Sequence, residues 1–196
     1  MSQNMEEIII KKLRLTGLTI LLAVLLLLPW DYPLIKMYLF GTTEFESLEL
    51  DEIKAGLIVD ASVDINFGSY AYTKEDEYYV IWTGGAYAEN YKYMGIKVPG
   101  SERSVMGKIA EAASNGEYVE PVKYVGIIRE MSYDEYPLFK AFFQDAGWTD
   151  EEIEEDTLPY IIDVSYIEDA KHSKLYLYVL ICLLPAVIAI WCSKWN

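Results

Sequence analysis

Hydrophobic and polar positions divide the chain of 196 residues into three stretches. Leu15 to Trp30 carries no charge, Leu175 to Trp191 carries none, and the long region between them mixes charges with apolar residues at short, regular spacings. The two uncharged runs hold 16 and 17 residues. At about 1.5 Å per residue in a helix, such runs cover most of a hydrocarbon layer roughly 30 Å thick. The first can be extended past Asp31 to Phe40. The second carries Tyr176, Tyr178, Trp191 and Trp195 at its ends, where an aromatic belt would place them. Its Pro185 is tolerated in a membrane helix.

The middle region predicts alternating elements. From Gly56 to Phe67, Leu57, Val59, Ala61, Val63, Ile65 and Phe67 alternate with Ile58, Asp60, Ser62, Asp64 and Asn66, the period of a strand with one buried face. Gly68 and Ser69 turn the chain into Tyr70 to Thr73, and Lys74 to Glu77 form a polar hairpin connection to Tyr78 to Thr83. Another strand is predicted at Tyr91 to Val98, with Met94, Ile96 and Val98 on one face. Pro99 and Gly100 break that pattern. Ser101 can cap a helix in which Val105, Ile109, Ala112 and Ala113 recur at helical spacing until Gly116.

Val122 to Met131 reads as a further strand, and Asp134 to Ala146 as a helix with Leu138, Phe139, Phe142, Phe143 and Ala146 in one stripe. Thr149 and Glu152 have capping-box spacing for a short acidic helix. Leu158 to Ile167 closes the region as a strand with Tyr160, Ile162, Val164 and Tyr166 on one face.

Together these patterns predict a membrane protein in which two terminal transmembrane helices flank one α+β domain, built on a mainly antiparallel sheet of about five or six strands with two or three helices. The expected boundaries are a cytoplasmic tail at 1–12, a first transmembrane helix at 13–38, an acidic domain at 39–172, a second transmembrane helix at 173–193 and a tail at 194–196. Lys11, Lys12 and Arg14 before a leucine-rich run also fit a secretory signal, but no small-x-small cleavage site follows. Pro29 to Leu34 occupy that place, so an uncleaved anchor is expected. The lysine and arginine count around the first run puts both termini in the cytoplasm and the central domain outside the cell membrane.

Charge sharpens the division, because residues 15–192 hold −17 against a net of −15 for the chain. Cys182 and Cys192 both lie in the second apolar run, so the central domain is expected to fold without disulfides or a thiolate metal site.

Candidate chemistry is sparse. No Gly-rich phosphate loop, GxSxG elbow, HExxH or EF-hand loop occurs, and the single histidine, His172, excludes histidine triads and multi-histidine metal sites within this chain. Ser104 and Lys108 are four apart, but a nucleophile pair needs a buried lysine, and a solvated one is expected here. The cluster Asp150, Glu151, Glu152, Glu154, Glu155 and Asp156 lacks the ligand spacing of a calcium loop and suits a capped helix start instead.

One compositional signal remains. Of the 17 tyrosines, seven lie at Tyr70, Tyr72, Tyr78, Tyr79, Tyr87, Tyr91 and Tyr93. Tyrosine pairs a flat apolar face with a hydroxyl and suits ligand or protein contacts, although it also simply suits half-buried strands. Tyr70 with Tyr72, and Tyr91 with Tyr93, would point the same way along a strand. The candidate binding residues are therefore Tyr70, Tyr72, Tyr78, Tyr79, Tyr91 and Tyr93, with no catalytic or metal-ligating residue and no cofactor.

The segments SYAYTKEDEYYVIWTG, YMGIKVPGSE and FFQDAGWTDEEIEEDTLPYIIDVS, set between two apolar runs, resemble a family of uncharacterised two-pass membrane proteins of Gram-positive anaerobic bacteria. The resemblance implies an architecture and a compartment, and no activity.

The functional expectation is a membrane-tethered extracytoplasmic interaction or sensory domain without catalysis. Its expected partners are the lipid bilayer and another membrane protein or an extracellular ligand, with no nucleic acid. The alternatives are a membrane-bound hydrolase working through paired carboxylates, or an accessory subunit of a transporter or secretion complex.

Overall fold

A computed structural model describes residues 40–83 and 91–172, together with positions 17, 36 and 37. The chain divides into two compact units, one of residues 36–169 and one of residues 1–35 with 170–196. The sheet and helices below belong to the first, except that the last helix runs on to residue 172.

The elements follow in the order β1 (Thr43–Glu44), β2 (Ile58–Val63), β3 (Ser69–Tyr72), β4 (Asp76–Trp82), β5 (Tyr93–Pro99), α1 (Arg103–Asn115), β6 (Val122–Glu130), α2 (Glu135–Asp145), α3 (Asp150–Asp156), β7 (Thr157–Asp163) and α4 (Val164–His172). The strands form one seven-stranded sheet in the order β1-β2-β6-β7-β5-β4-β3. Two pairings, β1 with β2 and β5 with β7, are parallel, and the other four are antiparallel. The fold of residues 40–172 is therefore α+β, with a mixed sheet and four α-helices among the described residues, and wider than the expected five or six mainly antiparallel strands. The extra strand, β1, has only two residues, too few to leave a periodic trace in the sequence.

The expectation of two transmembrane helices is corrected. Among the described residues no helix is long and apolar enough to cross a membrane. The longest of these helices, α1, has 13 residues and carries Arg103, Lys108 and Glu111, which gives it about 20 Å of length and a charged face. The stretches 13–38 and 173–193 that motivated the expectation fall outside the described residues, save positions 17, 36 and 37. Placement in the cell membrane, with cytoplasmic termini and an extracytoplasmic domain, is withdrawn with it.

Each face of the sheet has its own core. On one face Val59, Ala61, Val63, Tyr79, Ile81, Met94, Ile96, Val98 and Ile162 meet Met106 and Ile109 of α1. Fully burying one such Ile or Met contributes about 1.5–3 kcal/mol. Packing is closest where β6 crosses β7, since a Cβ on Gly126 would stand 2.5 Å from Cγ2 of Ile162. On the other face Val80 packs with Phe139 and Phe143 of α2 and Ile153 of α3. These two helices hold down the aromatic half of the sheet.

Local signals set most helix ends. Gly116 takes a left-handed conformation at φ 68° and returns its N–H to the carbonyls of Ala112 and Ala113, ending α1 as expected. Its start differs, because a short 3-10 turn at Gly100–Glu102 leads in and no side chain caps it, Ser101 included. In α3 both halves of the capping box form, with the Glu152 N–H donated to Thr149 and the Thr149 N–H donated back to Glu152. The last strand stops at Asp163, not Ile167. There the Asp163 carboxylate accepts the backbone N–H of Tyr166 at 3.0 Å, which turns the chain into α4.

Candidate functional site

The β3–β4 hairpin forms in the expected place, with Asp76 and Glu77 inside β4 and not in the connection, but contains an irregularity that separates its tyrosines. Ser69 pairs with Tyr79, Ala71 with Tyr78 and Tyr72 with Glu77, so Tyr70 is an extra, unpaired residue. Cross-strand partners share a face, and the bulge sends Tyr70 to the α2 side while Tyr72 joins Glu77 on the α1 side. The expectation that Tyr70 and Tyr72 point together is thereby overturned. Tyr72 is 78% exposed at the sheet edge, and Tyr79 is 3% exposed inside the α1-side core. Tyr79 belongs to packing, and burial with Glu77 beside it pushes its phenol pKa up.

The other four tyrosines are brought together on the α2 and α3 side. Tyr70 meets Tyr78 edge-on at 5.9 Å and Phe139 at 5.3 Å, Phe139 meets Phe143 at 5.2 Å, and Phe143 meets Tyr93 at 5.4 Å. From Tyr93 the array continues to Tyr91 at 5.9 Å, Trp148 at 5.6 Å and Phe67 at 5.0 Å, and from Tyr91 to Trp82 at 5.0 Å. Edge-to-face pairs at these separations contribute about 0.5–1.5 kcal/mol each beyond area burial. The array runs from a buried end to an exposed one.

The buried end is the Tyr70 hydroxyl, which finds no hydrogen-bond partner among the described residues. It stands over Gly95, where a Cβ would lie 2.8 Å from it. Burial, with the Glu135 carboxylate next in effect, raises the Tyr70 pKa well above its ordinary value. The exposed end opens on a cleft of about 640 Å³ lined by Leu50, Tyr91, Lys92, Tyr93, Trp148, Glu155 and Asp156. Tyr91 is 43% exposed there. Burial raises the Tyr93 phenol, and Tyr91 and Asp156 add to that shift. Tyr87, counted in the tyrosine-rich stretch, lies outside the described residues.

Beside the array, the same face carries a charge network that sequence reasoning missed. Lys97 Nζ lies 3.2 Å from Asp76 and 3.5 Å from Asp163, and Arg129 donates to Asp163 at 2.9 Å. Both terminal nitrogens of Arg129 donate to Glu135 at 2.7 Å, a bidentate pair. Ser165 donates its hydroxyl to Asp76 at 2.6 Å. For Glu135, burial works to raise the carboxyl pKa, but the Arg129 guanidinium and the Ser132 N–H outweigh it and hold the group at about 2.

Asp76 and Asp163 are two acids brought together on this face, and the Lys97 ammonium bridges them. Ser104 and Lys108 are both exposed on α1. Among the described residues no group of three or more His, Cys, Asp or Glu side chains could hold a metal ion. Sequence reasoning did not group Trp82, Trp148 or Phe67 with the tyrosines, and it placed Phe67 on the buried face of a strand that in fact ends at Val63. Only the tertiary fold makes them neighbours of the tyrosines.

By fold and site the protein is an α+β domain with helices on both faces of one mixed sheet and an aromatic cleft with an acidic rim. The chain belongs to the family described as Domain of unknown function (DUF8577), whose model matches residues 4–193. No curated protein and no solved structure matches it.

Proposed function

We propose that this chain works as a non-catalytic interaction or sensory domain, and that it receives its ligand in the cleft at Tyr91, Tyr93 and Trp148. The observation that carries this reading is the continuous edge-to-face array that ends in an open, aromatic-walled cleft. Binding sites combine apolar walls with a few polar groups that set orientation, and here Lys92, Glu155 and Asp156 supply the polar groups. Tyr93 belongs to β5, Glu155 and Asp156 to α3, and Trp148 sits between α2 and α3.

The competing hydrolase reading is weakened by the Asp76 and Asp163 geometry. Each carboxylate is in contact with the Lys97 ammonium, and Asp163 with Arg129 as well. Both acids are thus already engaged by cations of the domain's own charge network.

The test is a titration of the full chain with a panel of methyl glycosides, amino-acid amides and small organic cations, following tryptophan fluorescence. At least one probe class should give a saturable change that Tyr91→Ala removes while the circular dichroism spectrum stays unchanged. A panel without any saturable response would overturn the reading.

A further inference from the structure

We infer that the cleft selects an organic cation, an alkylammonium or guanidinium group held against the faces of Tyr91, Tyr93 and Trp148 with Glu155 and Asp156 as counter-charges. The inference rests on the recognition reading above and specifies its ligand. Three independent features of the cleft point the same way.

The first is the wall, since aromatic faces carry negative quadrupole charge and attract cations within about 6 Å of the ring centre. The edge-to-face contacts of Tyr93 with Tyr91 and Trp148, at 89° and 85°, set these rings at nearly right angles to one another. That gives a corner, not a flat platform. A flat platform suits a sugar ring, whereas rings set at right angles can meet a cationic group from more than one side.

The second is the charge balance. Lys92 is the cation among the lining residues, and its ammonium is committed to the backbone carbonyl of Glu155 at 2.6 Å. A lysine at that place satisfies the carbonyl end of α3, where helix dipoles leave partial negative charge. The carboxylates of Glu155 and Asp156 remain as counter-charges, one in excess over Lys92. The influence of Asp156 already reaches the ring hydroxyl of Tyr93, disfavouring its anionic form.

The third is the field around the cleft. Residues 36–169 hold ten Lys and Arg against 28 Asp and Glu, a net of −18, and six of the seven residues of α3 are acidic. A charged domain of one sign concentrates counter-ions and speeds their arrival at a cleft. Anionic ligands are repelled by the same field.

The experiment compares choline with its uncharged carbon isostere, in which a tert-butyl group replaces the trimethylammonium, and with Nα-acetylarginine amide. Each is titrated into the full chain while the indole N–H resonances of the tryptophans are followed. The expected result is at least about tenfold tighter binding of one of the cations than of the isostere. Exchange of both counter-charges, Glu155→Gln with Asp156→Asn, should abolish that preference, so that choline and its isostere bind alike, and both positions are exposed enough for the fold to tolerate it. Binding of choline alone assigns the cleft to small quaternary amines, and binding of the arginine amide alone to a peptide side chain. Equal binding of cation and isostere would overturn the charge inference while the recognition cleft stands. Silence of all three probes would overturn the charge inference, and the recognition reading is then decided by the wider panel above.

Discussion

Tyr70 and Tyr72 are two positions apart in sequence and differ completely in environment, because one bulge at β3 puts them on opposite faces of the sheet. A bulged, partly buried tyrosine whose buried hydroxyl has no partner among the described residues carries the desolvation cost of that hydroxyl without its return, about 1–3 kcal/mol. Tyr70→Phe is therefore expected to leave stability unchanged or raise it by about 1 kcal/mol, measured by chemical denaturation; a loss of similar size would reveal a hydrogen bond formed in solution. Gly126→Ala should act in the opposite direction. A Cβ there would stand 2.5 Å from Ile162 and 3.3 Å from the Asp163 backbone, and overpacking of this kind costs about 1–3 kcal/mol. A midpoint equal to that of the unchanged protein would show that β6 and β7 can part at this point without cost. Neither contact is legible in the sequence, since a glycine in a strand does not say what stands over it.

At the scale of elements, the sequence was most legible where the signal is local. The Thr149 and Glu152 pair predicts a cap because its two hydrogen bonds close within one helical turn, and both form. Thr149→Ala should cost about 1 kcal/mol and speed amide exchange at Glu152 more than at the far end of α3, which hydrogen-exchange mass spectrometry or NMR can resolve. The strand at β5 and the shared face of Met94, Ile96 and Val98 were likewise readable from a period of two. The end of β7 was not. Alternating Tyr160, Ile162, Val164 and Tyr166 extends the strand pattern through a point where the chain has already become α4. The decisive residue, Asp163, looks like an ordinary polar strand position, and its role as the acceptor of the Tyr166 N–H is visible only in three dimensions.

Across the whole domain, a single charge network ties β4, β5, β6, β7 and α2 together through Asp76, Lys97, Arg129, Asp163 and Glu135. Glu135 is its acid-sensitive member. Its folded pKa of about 2 lies below the ordinary carboxyl value, so its stabilisation is complete above about pH 4.5 and is lost as pH falls toward 2. Glu135→Gln should thus lower stability by about 1–2 kcal/mol near neutrality, with part of the ion pair discounted for its contact with water. The two proteins should converge in thermal midpoint as the pH approaches about 2. A constant gap across that range would mean that the Arg129 pair contributes nothing as an ion pair.

What the sequence determined by itself were features whose causes lie within a few residues: strand and helix periods, the glycine stops, the capping box, and the acidic surplus. It also showed that familiar catalytic motifs are missing. It led to two membrane-spanning helices as the frame of the molecule, and among the described residues no helix answers that description. Only the tertiary structure decided which tyrosines share a face, because a bulge changes register at one residue and every side chain after it. It also assembled the cleft and the charge network from positions as distant in the chain as Trp82 and Trp148, or Asp76 and Asp163. Contacts of that range depend on strand order, and strand order is set by how both faces of one sheet are buried at once, which no local pattern encodes.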